Sequence, residues 1–262
     1  MRLTAISTTL CILLLSCGEG RQQPAENKAP ENAVAPQPSE SGPLNGLTEA
    51  EKAEGWALLF DGSSTKGWHV FQKKSDGSAW KVDSGAIMLD PSRKEDGKTV
   101  GGGDLITDSA YENYHLSLEW RISPKGNSGI IFGIQDDPKY EHTWHTGPEM
   151  QVLDKDGHPD GKIVKHRAGN LYDLITGGIE PVKPVGEWNR AEIRVEKGNL
   201  ECRLNGYIVV TTVIGSPDWN KLVAESKFKI RPDFGKFTKG HIGLQDHGDV
   251  VWYRNIKIRR LP

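Results

Sequence analysis

The sequence predicts an all-β domain built as a two-sheet antiparallel sandwich or jelly roll. Three observations lead to this prediction: apolar and polar residues alternate in short segments, turn residues separate the segments, and no long stretch keeps the helical period of 3.6 residues. The 30 glycines and 15 prolines agree with it, because a chain of many strands needs many turns. Strands that each bury one face pack as two layers.

Individual strands can be identified from this alternation. In residues 115–121 the apolar residues point to one side and the polar residues to the other. Residues 190–196 alternate in the same way, and the turn at residues 205–206 extends them into a three-stranded meander. A Ser-Gly turn at residues 84–85 predicts a hairpin.

Two short segments predict helix within this β pattern. Residues 47–54 fit one helical turn, in which Thr48 caps the start and Glu51 completes a capping box. A small helix or loop insertion is expected within residues 217–228. Since no repeat or linker divides residues 46–262, they are predicted to form one domain.

The first residues of the chain predict export. Arg2 supplies a positive start, and residues 10–15 form an apolar run that is too short to span a bilayer. Ser16 and Cys17 follow, and this junction resembles a bacterial lipobox, in which the cysteine becomes the lipidated first residue. We therefore predict a lipoprotein signal peptide over residues 1–16 and a lipid on Cys17.

Residues 17–45 are rich in Pro, Ala, Glu and Asn, a composition that predicts a disordered tether. The expected location is the cell envelope, on the periplasmic side or at the outer membrane, with membrane contact through the lipid anchor only. A net charge of -2 argues against nucleic acid as a partner, because phosphate binding needs a basic face. With Cys11 in the signal peptide and Cys17 lipidated, Cys202 is alone and no internal disulfide is predicted.

The segment from Gly147 to Asp154 gives the strongest indication of a site. As a strand, it places Glu149 and Gln151 on the same face. A carboxylate and an amide side by side on a sheet face are unusual unless they meet a ligand or each other. The alternative is an exposed polar face.

Gln245 and His247 form a second candidate pair, in a polar turn that follows an apolar strand. A histidine can serve as acid, base or neutral hydrogen-bond donor near pH 7. The alternative is a structural histidine.

Arg254 is the third candidate. Residues 250–258 form the last predicted strand, and alternation places Arg254 on the same face as Trp252 and Ile256, where it would be partly buried. A buried arginine needs a carboxylate or a ligand. Either Arg254 belongs to the site or it forms a structural ion pair with an acid such as Glu119.

Metal-binding signals are weak. His142 and His145 flank Trp144 close to Glu149, but their spacing fits no zinc pattern. No metal site and no cofactor is predicted, and a requirement for a divalent metal is left open. The chain has neither a Gly-x-Ser-x-Gly elbow nor a His-Glu-x-x-His motif.

A series of short segments, in order along nearly the whole predicted domain, resembles the 3-keto-disaccharide hydrolase family. The segments are residues 55–56 (GW), 59–62 (LFDG), 118–121 (LEWR), 127–129 (NSG), 147–151 (GPEMQ), 186–189 (GEWN), 204–206 (LNG), 242–248 (IGLQDHG) and 252–256 (WYRNI). Each is short, and it is the ordered set that makes the resemblance specific.

This resemblance implies a concanavalin A-like jelly roll with a concave sheet that binds sugar. It also implies a hydrolase that cleaves 3-keto-glycosides or 3-keto-disaccharides, so the expected partner is a sugar or glycoside already oxidised at C3. A ketone at C3 acidifies the C2 proton, so a base can remove it, the group on C1 leaves by elimination, and water then adds. This route needs one base, an acid or water, and donors for the enolate oxygen.

The resemblance also implies a role for each candidate residue. Glu149 or His247 is expected to be the catalytic base. The substrate would be held, oriented or stacked upon by the remaining polar and aromatic candidates, which are Glu119, Asn127, Trp144, Gln151, Tyr172, Gln245 and Arg254.

Three other functions stay open at this point. A non-catalytic carbohydrate-binding lipoprotein could use the same fold. A laminin-G-type interaction module would need an exposed apolar or charged patch instead of converging polar residues. A conventional glycosidase would need two carboxylates across a sugar site, which Glu119 and Glu149 could supply.

Overall fold

The computed structural model describes residues 42–262 and consists of two packed antiparallel sheets and one small hairpin. The eight-stranded sheet contains β1 (Trp56–Leu58), β3 (Trp80–Asp83), β4 (Ala86–Leu89), β8 (Tyr114–Ile122), β11 (Asn189–Glu196), β12 (Asn199–Leu204), β13 (Tyr207–Val213) and β15 (Val251–Arg260). The five-stranded sheet contains β2 (Trp68–Val70), β7 (Leu105–Thr107), β9 (Asn127–Ile134), β10 (Glu149–Leu153) and β14 (His241–Leu244). The hairpin joins β5 (Lys94–Glu95) to β6 (Lys98–Thr99).

The strand orders are β13-β12-β11-β8-β15-β4-β3, with β1 paired to β15, and β10-β9-β14-β7-β2. The pairings within both sheets are antiparallel. The predicted meander is β11–β13, and the predicted hairpin at residues 84–85 joins β3 to β4. The predicted all-β sandwich is therefore confirmed.

The main core lies between the inner faces of the two sheets. Leu118 and Trp120 of β8 belong to the same buried cluster as Met150 and Val152 of β10. These residues come from alternate positions of their strands, so the opposite positions of β10 point away from this core.

The outer face of the five-stranded sheet is itself covered. A second buried cluster lies there, made by Phe71, Ile106, Ile131, Ile134 and Tyr140. Residues 169–172 lie along β10 and hydrogen-bond to its backbone, and all residues of β9 and β10 are buried. Polar side chains on this face are therefore enclosed by protein, which excludes the alternative of an exposed polar face for β10.

Helices are few among the described residues. α1 (Glu49–Ala53) has the predicted capping box, in which Thr48 accepts from the Glu51 backbone and Glu51 accepts from the Thr48 backbone. α2 (Pro217–Ala224) confirms the expected insertion and is capped by Ser216. The 3-10 helices are Phe71–Lys73, Thr143–His145, Pro159–Lys162, Val164–His166 and Lys227–Ile230. Within residues 42–262, no helix combines the length and the apolar character needed to cross a membrane.

The N-terminal boundary of the folded domain differs from the predicted one. Asn45 was assigned to the tether, but it is buried and exchanges backbone-to-side-chain hydrogen bonds of 2.7 and 2.8 Å with Asn255. Its Nδ2 also donates to the Gly85 carbonyl at 2.7 Å. Asn45 therefore belongs to the domain. The predicted signal peptide and the lipidated Cys17 lie outside the described residues.

A β-bulge in β15 corrects the prediction for Arg254. The register with β8 shifts between Arg254 and Lys257, and Asn255 takes a positive φ of 51°. The extra residue reverses the alternation, so Ile256 is buried in the core while Trp252 and Arg254 are only partly buried. The prediction that Ile256 shares a face with Trp252 and Arg254 is wrong for this reason.

Candidate active site

A cavity of about 360 Å³ lies on the outer face of the five-stranded sheet. Seven of the residues predicted from the sequence line it together, and they come from β9, β10, the turn after β14 and two loops. The lining residues are Asn127, Trp144, Glu149, Gln151, Tyr172, Lys227, Phe228, Ile230, Arg231, Gln245 and His247.

Glu149 occupies a space that the neighbouring strand leaves free. β10 pairs with β9 so that Gln151 lies opposite Gly129. A Cβ atom at position 129 would overlap the Glu149 carboxyl group, so the glycine leaves the space in which that carboxyl group lies. Gln245 donates its backbone N–H to the Gly129 carbonyl at 3.0 Å, and its Nε2 lies 3.4 Å from Glu149 Oε2. Strand pairing thus places Glu149 and Gln245 side by side.

The electrostatic environment of Glu149 favours its protonated form. Its side chain is 6% exposed, and burial raises its pKa from an ordinary 4.5 to about 8. The positive charge of Lys227 opposes this rise, while the charge of Asp104 adds to it. A carboxyl group with a pKa near the working pH can both accept and return a proton.

His247 follows β14 at the mouth of the same cavity. Its Nε2 lies 3.4 Å from Asn127 Nδ2, and the Asn127 backbone donates to Asp249 Oδ2 at 3.0 Å. Loss of solvent around the ring lowers the pKa of His247, so the imidazole is neutral at pH 7. It can therefore offer one nitrogen as donor and the other as acceptor.

Aromatic rings and two cations from loop segments line another part of the cavity. Trp144 stacks on the His142 ring with centroids 4.9 Å apart, and the Arg231 guanidinium lies 5.0 Å from the centre of the indole. Lys227 Nζ lies 4.0 Å from the centre of the Tyr172 ring. A sugar in the cavity would meet flat apolar surfaces and positive charge on this side.

Two amide oxygens are buried in the site without a hydrogen-bond partner in the described part of the chain. They are Asn127 Oδ1 and Gln245 Oε1. Asn127 is only 3% exposed, although it lines the cavity. Buried unpaired acceptors destabilise a fold by about 1–3 kcal/mol each, and a ligand that brings hydroxyl donors removes that cost.

Asp104, at the residue before β7, ties together two loops of the site. One carboxylate oxygen accepts from the Thr143 hydroxyl, and the other accepts from the Asp246 backbone N–H at 2.9 Å. Thr143 and Asp246 each adjoin a residue that lines the cavity, Trp144 and Gln245. Burial raises the pKa of Asp104 to about 6, so above that pH its charge strengthens both hydrogen bonds.

Glu119 and Arg254 do not belong to this cavity. They lie on β8 and β15 of the other sheet, where Arg254 Nε donates to Glu119 Oε2 at 2.7 Å. The Arg254 guanidinium also covers the Trp188 ring at 4.0 Å. The structure thus separates both residues from this cavity, because β8 and β15 belong to the eight-stranded sheet. The structural ion pair is the correct one of the two alternatives.

A possible cation-binding set lies beside His247. One ligand atom each from His158, His247 and Asp249 lies within 4.8 Å of the others. However, His158 Nδ1 accepts from the Asp160 backbone at 3.1 Å, so the neutral ring carries its proton on Nε2. The arrangement does not present three free lone pairs, and we derive no chemical step through a metal.

Sequence reasoning missed Lys227, Arg231 and Asp104. Residues 227 and 231 come from a segment with no strand alternation, and Asp104 follows a run of glycines that reads as a turn. The one local signal is Ser226, whose side chain accepts from the Phe228 backbone at 3.1 Å and caps the 3-10 helix that presents Lys227.

Comparison with known proteins identifies the family to which the chain belongs. The family described as "3-keto-alpha-glucoside-1,2-lyase-like domain" matches residues 55–259. The chain belongs to the 3-keto-disaccharide hydrolase family. A member of that name from Bacteroides thetaiotaomicron is 33% identical over 274 residues, which covers 95% of this chain and 94% of that protein.

Solved structures support the fold of this family member. A crystal structure described as a glycosyl hydrolase, from Parabacteroides distasonis, is 33% identical, with a TM-score of 0.75 over 84% of this chain and 100% of that chain. A second one from the same organism is 26% identical, with a TM-score of 0.58 over 79% of this chain and 99% of that chain. The predicted resemblance to the family is thereby confirmed.

Proposed function

We propose that this chain hydrolyses 3-keto-glycosides or 3-keto-disaccharides by removal of the C2 proton, elimination of the group on C1, and hydration. Membership in the family identifies the chain, at the level of class, as an enzyme that acts on glycosidic bonds. The observation that carries the finer proposal is Glu149, a buried carboxyl group with a pKa of about 8 in the cavity floor.

The number of carboxylic acids that line the cavity favours elimination over conventional glycoside hydrolysis. Conventional glycosidases place two carboxylates about 5–10 Å apart around the scissile bond. Among the described residues that line the cavity, Glu149 is the only carboxylic acid. Glu119, the expected second acid, lies on the other sheet. One base is what removal of an acidic C2 proton requires.

In the proposed reaction, ionised Glu149 takes the proton from C2, and the electron pair moves to the oxygen at C3 to form an enolate. The enolate reforms the ketone as the C1–O bond breaks, which leaves a C1=C2 double bond and expels the group on C1. The departing oxygen takes a proton from His247 or from water. Water then adds its oxygen to C1 and gives up one proton, which returns to His247 or to the hydroxide left when water was the donor. C2 regains its proton from Glu149, so both residues return to their starting states.

We assign the base to Glu149 in preference to His247 on the grounds of position. Glu149 lies on the cavity floor, held by Gln245, whereas His247 lies at the mouth on the exposed turn. A group at the mouth is suited to the departing oxygen, which must leave toward solvent. The unpaired amide oxygens of Asn127 and Gln245 would accept from sugar hydroxyls, and Trp144 and Tyr172 would contact the ring.

For the location, we propose an exported lipoprotein held at the cell envelope through Cys17, on the periplasmic side or at the outer membrane. The support is the sequence of residues 10–17. Metabolic labelling with a radioactive fatty acid tests this proposal. Label in the wild-type protein and its loss in C17S are expected, and equal label in both would contradict it.

The activity is tested with the purified protein and a 3-keto-glucoside that carries a chromogenic aglycone, next to the unoxidised glucoside. We expect release from the keto substrate only. Release from both would indicate a conventional glycosidase, and release from neither would favour a carbohydrate-binding protein of the same fold. A parallel assay with a chelator shows whether a divalent ion contributes.

A further inference from the structure

Lys227 is held in place by its own backbone and by its neighbours. Its N–H donates to Asp173 Oδ2 at 2.7 Å, and Ser226 caps the short helix that begins with it. The next residue, Phe228, is buried and stacks on Phe234 with ring centroids 3.9 Å apart. The backbone of Lys227 is therefore held by contacts that do not involve its ammonium group.

The ammonium group of Lys227 lacks the carboxylate partner that nearby lysines have. Lys155 and Lys165 form ion pairs of 3.0 Å with Glu180 and 2.8 Å with Asp173. Within residues 42–262, no ion pair of this kind includes Lys227 Nζ. It lies instead over the Tyr172 ring and lines the cavity.

The charges of Lys227 and Glu149 each shift the pKa of the other group. The Lys227 charge is the largest influence that lowers the pKa of Glu149, and Arg231 is not among the main influences. In the other direction, Glu149 is the largest influence that raises the pKa of Lys227, against the loss of solvent that lowers it. Both residues line the same cavity of about 360 Å³, which has the volume to hold a ligand.

The proposed chemistry is accelerated by a positive group close to the base. Removal of the C2 proton moves an electron pair onto the oxygen at C3, one carbon away from the atom that the base attacks. A cation close to the base stabilises this enolate oxygen more than it stabilises the neutral ketone, which is how such groups accelerate a reaction.

We propose that Lys227 binds the C3 carbonyl oxygen of the substrate and stabilises the enolate that forms when Glu149 removes the C2 proton. This inference rests on the proposed function. It makes Lys227 a catalytic residue and a determinant of specificity, because an unoxidised sugar has a hydroxyl group at C3 and develops no charge there. No covalent bond to Lys227 forms, and the proton moves only between C2 and Glu149.

The test is the K227M variant, with K229M as the matched control. Lys229 lies on the same short helix and, like Lys227, is exposed, but it does not line the cavity. We expect K227M to lower kcat on the chromogenic 3-keto-glucoside by about 10²–10³-fold, as for loss of one oxyanion donor. K229M should equal the wild type.

A pH profile separates this role from a structural one. Because the Lys227 charge lowers the pKa of Glu149, K227M should shift the midpoint of the rise in kcat/KM to higher pH, whereas K227R should keep it. K227Q repeats the test if K227M loses its cooperative thermal transition.

Two results would overturn the inference while the proposed function stands: wild-type kcat and midpoint in K227M, or trapping of substrate on Lys227 by borohydride in the wild-type protein, which would indicate a Schiff base. A wild-type protein without activity on the keto substrate would instead remove the proposed function itself.

Discussion

The outward faces of the two sheets differ in whether their charged and polar groups are paired. On the eight-stranded sheet, charged side chains are paired with each other at 2.5–2.7 Å, as in Arg190–Glu192, Arg194–Glu196, Arg203–Glu201 and Arg254–Glu119. On the five-stranded sheet, the buried carboxyl group of Glu149 has only the amide of Gln245 as a partner, and two amide oxygens have none among the described residues.

This difference indicates which face of the protein keeps groups that destabilise the fold and can serve a function. Paired surface charges satisfy one another and contribute modestly to stability. A buried carboxyl group and unpaired acceptors destabilise the folded state, and they persist because the surrounding strands leave them no alternative. The unsatisfied face is therefore the one expected to bind and transform a ligand, and the following experiments test the contrast.

The largest effect is expected from E149Q on the five-stranded sheet. Loss of the base should lower kcat on the 3-keto-glucoside by about 10²–10⁴-fold, the range found for general acid–base groups. The matched control is E192Q, which alters a buried glutamate of the eight-stranded sheet and should keep full activity. Steady-state kinetics with both folded variants would contradict the assignment if E149Q matched the wild type.

His247 should have the next largest effect. We expect H247A to lower kcat by about 10²-fold, at the lower end of the same range, because water can partly replace the group that protonates the departing oxygen. H115A is the control, since His115 lies on β8 beside Glu192. Equal rates for H247A and H115A would remove His247 from the mechanism.

The pH dependence of the Tm should show whether the carboxyl group of Glu149 is buried, as the contrast between the two faces requires. The pKa of Glu149 is raised from 4.5 to about 8, so its contribution to stability is complete below pH 4.5 and is lost as pH rises through 8. Glutamine has no such charge to bury. The Tm of E149Q should therefore rise relative to the wild type between pH 4.5 and 9. A constant difference in Tm across that range would show that Glu149 is not buried as an acid.

The smallest effect is expected from the Glu119–Arg254 pair. Each side chain is 26% exposed, so a double-mutant cycle of E119Q and R254M should give a coupling of about 1 kcal/mol or less in the free energy of unfolding. Activity on the keto substrate should stay at the wild-type level in both variants. Loss of activity without loss of folding would show that the eight-stranded sheet takes part in catalysis.

Much of the fold could be predicted from residue patterns, and so could part of the site. The alternation in residues 115–121 and 190–196, the turn at residues 84–85 and the Thr48 capping box all recur in the structure. Such signals are local, since each depends on residues a few positions apart. Glu149 could be predicted in the same way, because its strand is bounded by turns.

The errors all involve contacts between distant parts of the chain. Asn45 was placed in the tether, although it bonds to Asn255 across 210 positions. The bulge at Asn255 changes which residues of β15 point to the core, and no residue pattern predicted the bulge. Lys227 reaches the cavity because Asp173, 54 positions earlier, fixes its backbone.

The sequence by itself determined the class of fold, the strands and turns, the export signal as a prediction, and the ordered segments by which the family is identified. These properties depend on short-range periodicity and on residue type. Only the tertiary structure decided which charged groups are paired and which are not: it separated Arg254 from the site, brought Lys227 into it, and buried Glu149 deeply enough to raise its pKa. Burial and pairing arise from strands and loops that meet in space, and alternation along one strand does not contain that information.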